Sequence, residues 1–336
     1  MYFLDNARVV AILAVITLHV SGEFLPYNDI INSDWWFRHF FESATRWCVP
    51  VFVMISGALL LDPNKQESTN VFYKKRLNRI GVPLVFWSVF FLSWTALRQW
   101  SSWGYVDFSL LLDNLLSGEP YYHLWYLYML VFLYLFTPLL RMIVKRCNRQ
   151  QLAFITLILF VLAALNTFID AFFVSHTDAF VFWFLSFVPY FMAGYFIRTD
   201  DNQYRLSLLF AVFVGSITIT VLACFIGLYF FEMDVGQYIY RYLSVTMIPM
   251  SLSILYLFKS IDGVLISKAI NKKIASLVFA IYLVHPFFID ILFALSHQYG
   301  VSVSLEFILV SVLAVLMVSL LTAFVFSRVP LLKRTV

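Results

Sequence analysis

LSLLFAVFVGSITITVLACFIGLYF, residues 206–230, is an apolar run without one charged side chain. As a helix rising 1.5 Å per residue it would reach about 37 Å, enough to cross a hydrocarbon layer of about 30 Å. Its apolar residues do not alternate with polar ones, so it does not read as a strand of a membrane barrel. In lipid every backbone N–H and C=O must be satisfied within the protein, which leaves the helix. Comparable runs lie at about 8–25, 44–61, 81–100, 123–141, 152–172, 180–197, 240–258, 277–297 and 304–326. The expectation is an all-α integral membrane protein of about ten transmembrane helices.

Composition agrees. Of 336 residues, 62% are hydrophobic and only 12% charged, against roughly a quarter charged in soluble domains. A water-soluble fold could not hide that apolar surface, because cores stop growing and split into domains. No hydrophilic stretch is long enough for a second domain, so residues 1–336 read as one transmembrane domain. The first run begins almost at Met1 without a basic leader and reads as a retained helix.

Lys and Arg concentrate on the cytoplasmic side of membrane proteins. With the N-terminus inside and ten spans, all the lysines and most arginines fall inside, and only Arg38, Arg46, Arg98 and Arg241 fall outside. Both termini are therefore expected in the cytoplasm. Acidic residues such as Asp34 and Glu42 lean to the outer face, where solvation of loops is the plain reading. Trp35, Trp36, Trp103 and Tyr121 lie in those outer loops, as an interfacial belt or as platforms for sugar rings. Cys48, Cys147 and Cys224 are scattered, so neither a disulfide framework nor a metal site is expected. Neither is a nucleic-acid partner.

Ionisable groups inside a span are functional candidates by default. Arg8 and His19 stand eleven residues apart on the first span, about three helical turns, which returns both to one face. Glu23 lies one turn beyond His19, where a carboxylate could orient an imidazole. That face would present a cation, a neutral base and an acid. A core histidine bonded to a neighbouring helix remains the alternative. Before the third span stands Lys74-Lys75-Arg76-Leu77-Asn78-Arg79. Paired guanidinium groups at Arg76 and Arg79, with Lys75, suit phosphate, although any cytoplasmic loop is expected to be basic. Phe52-Val53-Met54-Ile55-Ser56-Gly57 offers small residues for close helix approach. Pro286 removes a helical N–H and frees the Tyr282 carbonyl; His285 beside it reads as a ligand group or a core histidine.

Taken in order, these motifs resemble the membrane acyltransferase-3 family of bacterial O-acyltransferases. The motifs are Arg8 to His19 preceded by Leu4-Asp5, Phe52 to Ser56-Gly57, Arg76 and Arg79, His123-Leu124-Trp125, and Tyr282 to His285-Pro286. The Arg46 and Tyr122-His123-Leu124-Trp125 context is similar to the short stand-alone branch that acetylates enterobacterial common antigen. Val9 departs from the Gly usual after the first-helix Arg. The resemblance implies transfer of an acyl group, acetyl above all, from acyl-coenzyme A to a hydroxyl of a surface glycan or its lipid-linked precursor, at the inner membrane. It implies His19 as general base, with Arg8 between it and the coenzyme site, to bind phosphate or steady the developing oxyanion. Arg76, Arg79 and Lys75 would face the coenzyme phosphates, and Arg46, His123 and Trp125 the acceptor. Tyr282 and His285 would complete the site, with no metal. A flippase for a lipid-linked sugar and a non-catalytic membrane subunit are the rival classes. Against the flippase, the sequence shows no pairing of broken helices in related halves.

Overall fold

In the computed structural model, the described residues are 2–22, 33–65, 67–173, 179–231, 233–261, 263, 267–301 and 304–336. Among them the chain is helical, with no strand. Among the described residues nine helical stretches are long and apolar enough to cross a membrane, and Met247–Ser260 is a shorter apolar helix. The chain is a multi-pass membrane protein. The helices are α1 Tyr2–Gly22, α2 Ser33–Thr45, α3 Cys48–Leu60, α4 Thr69–Arg76, α5 Val82–Trp103, α6 Phe108–Leu116 and α7 Trp125–Arg146. They continue as α8 Arg149–Phe172, α9 Trp183–Arg198, α10 Leu206–Phe230, α11 Met233–Tyr240, α12 Met247–Ser260, α13 Lys268–Gln298 and α14 Leu305–Arg328.

Three of these depart from the expected spans, each for a local reason. The second span begins in α2, where a loop was expected, and breaks at Arg46 and Trp47 before α3. Pro50 has no N–H to give the Arg46 carbonyl, so the helix cannot run straight through. The Trp47 indole instead donates to the Ala44 carbonyl at 2.8 Å, closing the end of α2. The third span starts early, at Thr69, and passes through a π-helical turn, Leu77–Gly81, that joins α4 to α5. The eighth is interrupted: α11 ends at Tyr240 and α12 starts at Met247.

The chain divides into two compact units. The first comprises residues 1–59, 149–176 and 189–324. Here α1 packs along α13, with Ala7, Ala11 and Ala14 buried on α1. Asn271 Nδ2 donates to Asn6 Oδ1 at 2.8 Å, and Asn6 Nδ2 donates to the Gly263 carbonyl at 3.0 Å. Threonine hydroxyls of Thr220 and Thr246 meet at 2.9 Å between α10 and the start of α12. After α9, the buried Asp200 carboxylate receives Arg149 at 2.5 Å, Tyr204 at 3.0 Å and Tyr256 at 2.8 Å. Burial would raise its carboxyl, but the Asn202 backbone N–H, the Tyr256 and Tyr204 hydroxyls and the charge of Arg149 outweigh burial and hold it below the usual range. Outward faces of α8 and α10 carry exposed residues such as Leu157, Val161 and Phe210, suited to lipid.

The second unit comprises residues 60–148, 177–188 and 325–336. The buried Trp87 of α5 donates its indole N–H to the Thr335 carbonyl at 2.8 Å, which ties down the C-terminal turn. Phe91 stacks on Tyr121 with ring centroids 4.4 Å apart. Asp107 caps α6 by accepting from the backbone N–H groups of Ser109 and Leu110.

Gly57 of α3 and Gly194 of α9 bring two backbones together, the role expected of small residues. A Cβ on Gly57 would overlap the Phe191 carbonyl oxygen, and one on Gly194 the Met54 carbonyl oxygen. Neither obstacle is a flexible side chain, so Gly57→Ala must push the helices apart, at about 1–3 kcal/mol or more. Gly215→Ala on α10 meets nothing within 4 Å. Thermal melting of the purified protein in detergent should drop for Gly57→Ala and hold or rise for Gly215→Ala.

Candidate active site

His19 stands one turn from the end of α1 and keeps part of its surface accessible. Because α1 is continuous, Arg8 lies on the same face roughly 16 Å away. Arg8 pairs with Asp5 at 3.1 Å, one turn nearer the N-terminus. The His19 ring stacks on His285 of α13, with centroids 5.3 Å apart and planes 28° from parallel.

The tautomer of His285 follows from its sequence. Pro286 cannot donate to the Tyr282 carbonyl, so that oxygen is left for another donor. His285 Nδ1 lies 2.7 Å from it. A carbonyl only accepts, so Nδ1 carries the hydrogen and Nε2 is the basic nitrogen of the ring. Helix α13 runs on through Pro286. Tyr282 and His285 are both buried.

The break between α2 and α3 falls at the middle of its span, since each half has 13 residues. Arg46 occupies it. Its Nη1 donates to the Tyr240 carbonyl at 3.0 Å, where the second interrupted helix ends. Its Nη2 donates to Glu42 Oε1. The guanidinium carbon lies 4.1 Å from the centroid of the Tyr240 ring. Arg46 also acts electrostatically on His19.

His39 extends this network. Its Nε2 lies 2.9 Å from the Val221 carbonyl and so carries the hydrogen, leaving Nδ1 to accept from the Tyr240 hydroxyl at 2.5 Å. Glu42 is thus no solvated loop carboxylate, as its sequence position suggested. It is buried and paired. Glu23 lies outside the described residues.

In the other unit, Arg76 ends α4 and Arg79 follows in the π-helical turn. Arg76 is half-buried and Arg79 exposed. The Arg76 and Arg141 guanidinium carbons lie 5.6 and 5.2 Å from the centroid of the buried Phe72 ring. Arg141 donates through Nε and Nη2 to the Leu60 carbonyl, at 3.0 and 2.8 Å. Glu67 bridges Lys75 at 3.0 Å and Arg141 at 3.5 Å. The hydrogen bond from Lys75, with the charge of Arg141, holds the Glu67 carboxyl below the usual range. Also in this unit, buried His123 packs edge-on to Phe91 at 5.0 Å, and Trp125 packs against Trp183 and Phe187.

Of the residues nominated by the motifs, His19, Arg46, Tyr282 and His285 therefore gather in one unit. Lys75, Arg76 and Arg79 belong to the other, as do His123 and Trp125. Sequence reasoning missed Glu42, Tyr240, Glu67 and Arg141 as members of these networks. Arg141 counted only as a marker of orientation. The spacing of Glu42 and Arg46, i and i+4, was the signal available for one pair.

The family model described as "Acyltransferase domain" matches residues 1–328 of the 336. The chain belongs to this acyltransferase family. It is accordingly a membrane-bound O-acyltransferase. No curated protein and no solved structure matches it. Among the described residues of this acyltransferase, no group of three or more His, Cys, Asp or Glu side chains could hold a metal ion.

Removing one member of a buried ion pair strands the other, at about 3–5 kcal/mol, whereas removing both costs less. Arg46→Ala should lower the melting temperature of the purified acyltransferase markedly. Adding Glu42→Gln to that variant should recover part of the loss, and a further fall on the double change would contradict the pairing.

Proposed function

We propose that this acyltransferase moves an acetyl or related acyl group from acyl-coenzyme A to a hydroxyl of a bacterial surface glycan or its lipid-linked precursor. It acts in the inner membrane with both termini cytoplasmic and residues 1–336 as one catalytic domain. The observation that carries the reading is His19. It is an ionisable side chain within a spanning helix, partly accessible, stacked on His285 and within electrostatic reach of Arg46. Such a group is costly in a membrane and is kept for chemistry.

A sugar hydroxyl is a weak nucleophile until a base takes its proton, help that contributes about 10²–10⁴-fold. The hydroxyl oxygen attacks the thioester carbon while its proton passes to His19. The carbon–sulfur bond then breaks, and the coenzyme leaves as a thiolate that takes the proton back from His19. Arg8, roughly 16 Å along α1 from His19 and paired with Asp5, takes a phosphate of the donor. Arg76 and Arg79, with Lys75, take the coenzyme phosphates from the cytoplasm. Arg46, His123 and Trp125 meet the acceptor, which arrives from the opposite face.

A flippase for a lipid-linked sugar is the second reading. The broken stretches Ser33–Leu60 and Met233–Ser260 favour it, because transporters build sites from interrupted helices. Membership of an acyltransferase family favours chemistry.

Two experiments separate these readings. Surface polysaccharides from cells with and without the protein should differ by O-acyl mass. Unchanged masses with altered lipid-linked sugar on the outer leaflet would support the flippase. In the same assay His19→Gln should lose about 10²–10⁴-fold of acylation at normal protein level, since an amide takes no proton here. A core histidine predicts the opposite, with the Gln variant active. For the donor, Arg76→Ala and Arg79→Ala together should raise the KM for acetyl-coenzyme A without lowering protein yield. Lysine should rescue only partly, because it lacks the planar fork.

A further inference from the structure

Glu42 and Arg46 hold each other by one oxygen and one nitrogen. Arg46 Nη2 donates to Glu42 Oε1 and Arg46 Nη1 to the Tyr240 carbonyl. Glu42 Oε2 and Arg46 Nε are both buried, and neither has a hydrogen-bond partner among the described residues. Buried polar atoms are nearly always satisfied, and charged ones are the most costly to leave open. One ion pair therefore presents a strong acceptor and a strong donor together, in the middle of a spanning stretch.

The chemistry of the pair selects its ligand. A hydroxyl donates its hydrogen to Oε2 and accepts from Nε–H with its own oxygen. A phosphodiester or carboxylate has no proton to give Oε2 and is repelled by it, and an ammonium cannot accept from Nε–H. Gly22 stands three residues beyond His19 on α1 and carries no side chain against this carboxylate. A Cβ there would lie 3.7 Å from Glu42 Cδ and Oε1, ordinary contact.

We infer that Glu42 and Arg46 form a hydroxyl-binding subsite that anchors a neutral, polyhydroxylated part of the acceptor beside His19, with Glu42 setting its specificity. The inference rests on the acyl-to-glycan reading above. It adds a second anchoring point, so that one hydroxyl is held by the ion pair while another is presented to the base.

The test uses the purified full-length protein, ¹⁴C-acetyl-coenzyme A, and the source cell's surface polysaccharide stripped of O-acyl groups with mild base. Glu42→Gln should raise the KM for polysaccharide about 10- to 100-fold, the loss of one charge-assisted hydrogen bond. The KM for acetyl-coenzyme A should stay within about twofold. Gly22→Ser keeps both charges and hangs a hydroxyl against the carboxylate as an internal competitor, so it too should raise the polysaccharide KM. If Glu42→Gln does not accumulate, Gly22→Ser decides alone. An unchanged polysaccharide KM in the variants that accumulate overturns the subsite and leaves the acyltransferase reading standing. So does a rise of both KM values together, which marks a merely structural pair. If the wild-type protein labels neither this polysaccharide nor its lipid-linked precursor, offered in the same assay, the parent reading falls and takes the subsite with it.

Discussion

A buried guanidinium at the break in an apolar helical stretch must bring its own solvation, and in the first unit the neighbours of Arg46 meet that demand. An unpaired charge there would cost several kcal/mol. Glu42, one turn earlier on α2, supplies the counter-charge, and Tyr240 supplies a carbonyl and a ring face. Each partner exists because a helix stops. Pro50 opens the helix at Arg46, and the end of α11 leaves the Tyr240 carbonyl without its helical donor. Irregular backbone is tolerated inside a membrane only where protein or a polar cavity surrounds it. Here the two interruptions satisfy each other through one arginine. His39 then fixes the Tyr240 hydroxyl, and the Val221 carbonyl of α10 fixes His39.

The same economy sets the histidines. Pro286 withdraws a donor from α13, and His285 takes over the orphaned Tyr282 carbonyl, which leaves its second nitrogen basic. That ring lies flat against His19, so the orientation of the proposed base is fixed by packing from another helix. Catalysis gains from a base already oriented, because no freedom has to be frozen as the reaction proceeds. The cluster in the second unit works by accumulation of charge instead. Arg76 and Arg141 share the Phe72 ring, and Glu67 offsets only part of their charge. A surface held in that state favours a polyanion.

Much of the fold was legible because bilayer thickness imposes one length on every span. Leu206–Phe230 matches its apolar run residue for residue. The motif glycine Gly57 fell where its role in close helix approach was expected. Legibility failed where a helix carries charge. Residues 33–45 mix Trp, Arg, His and Glu and so read as an outer loop, yet Trp35, Arg38, His39 and Glu42 are buried on α2. Apolar content cannot detect a half-helix whose buried face is polar. The early start at Thr69 was hidden in the same way, since Lys74, Lys75 and Arg76 count as loop by charge. At the site, sequence could nominate His19, Arg46 and His285. It could not reveal Tyr240 as the partner of Arg46, because that contact joins residues 194 positions apart.

In the proposed reaction one histidine serves a donor from one face of the membrane and an acceptor from the other. Sealed proteoliposomes test it through those protein molecules whose cytoplasmic face points outward. ¹⁴C-acetyl-coenzyme A, which does not cross lipid, is supplied outside, and the de-acylated polysaccharide is placed either inside only or outside only. Labelled polysaccharide is expected when it is inside, and none when both substrates share the outer side. Label appearing only when both substrates are outside would contradict it.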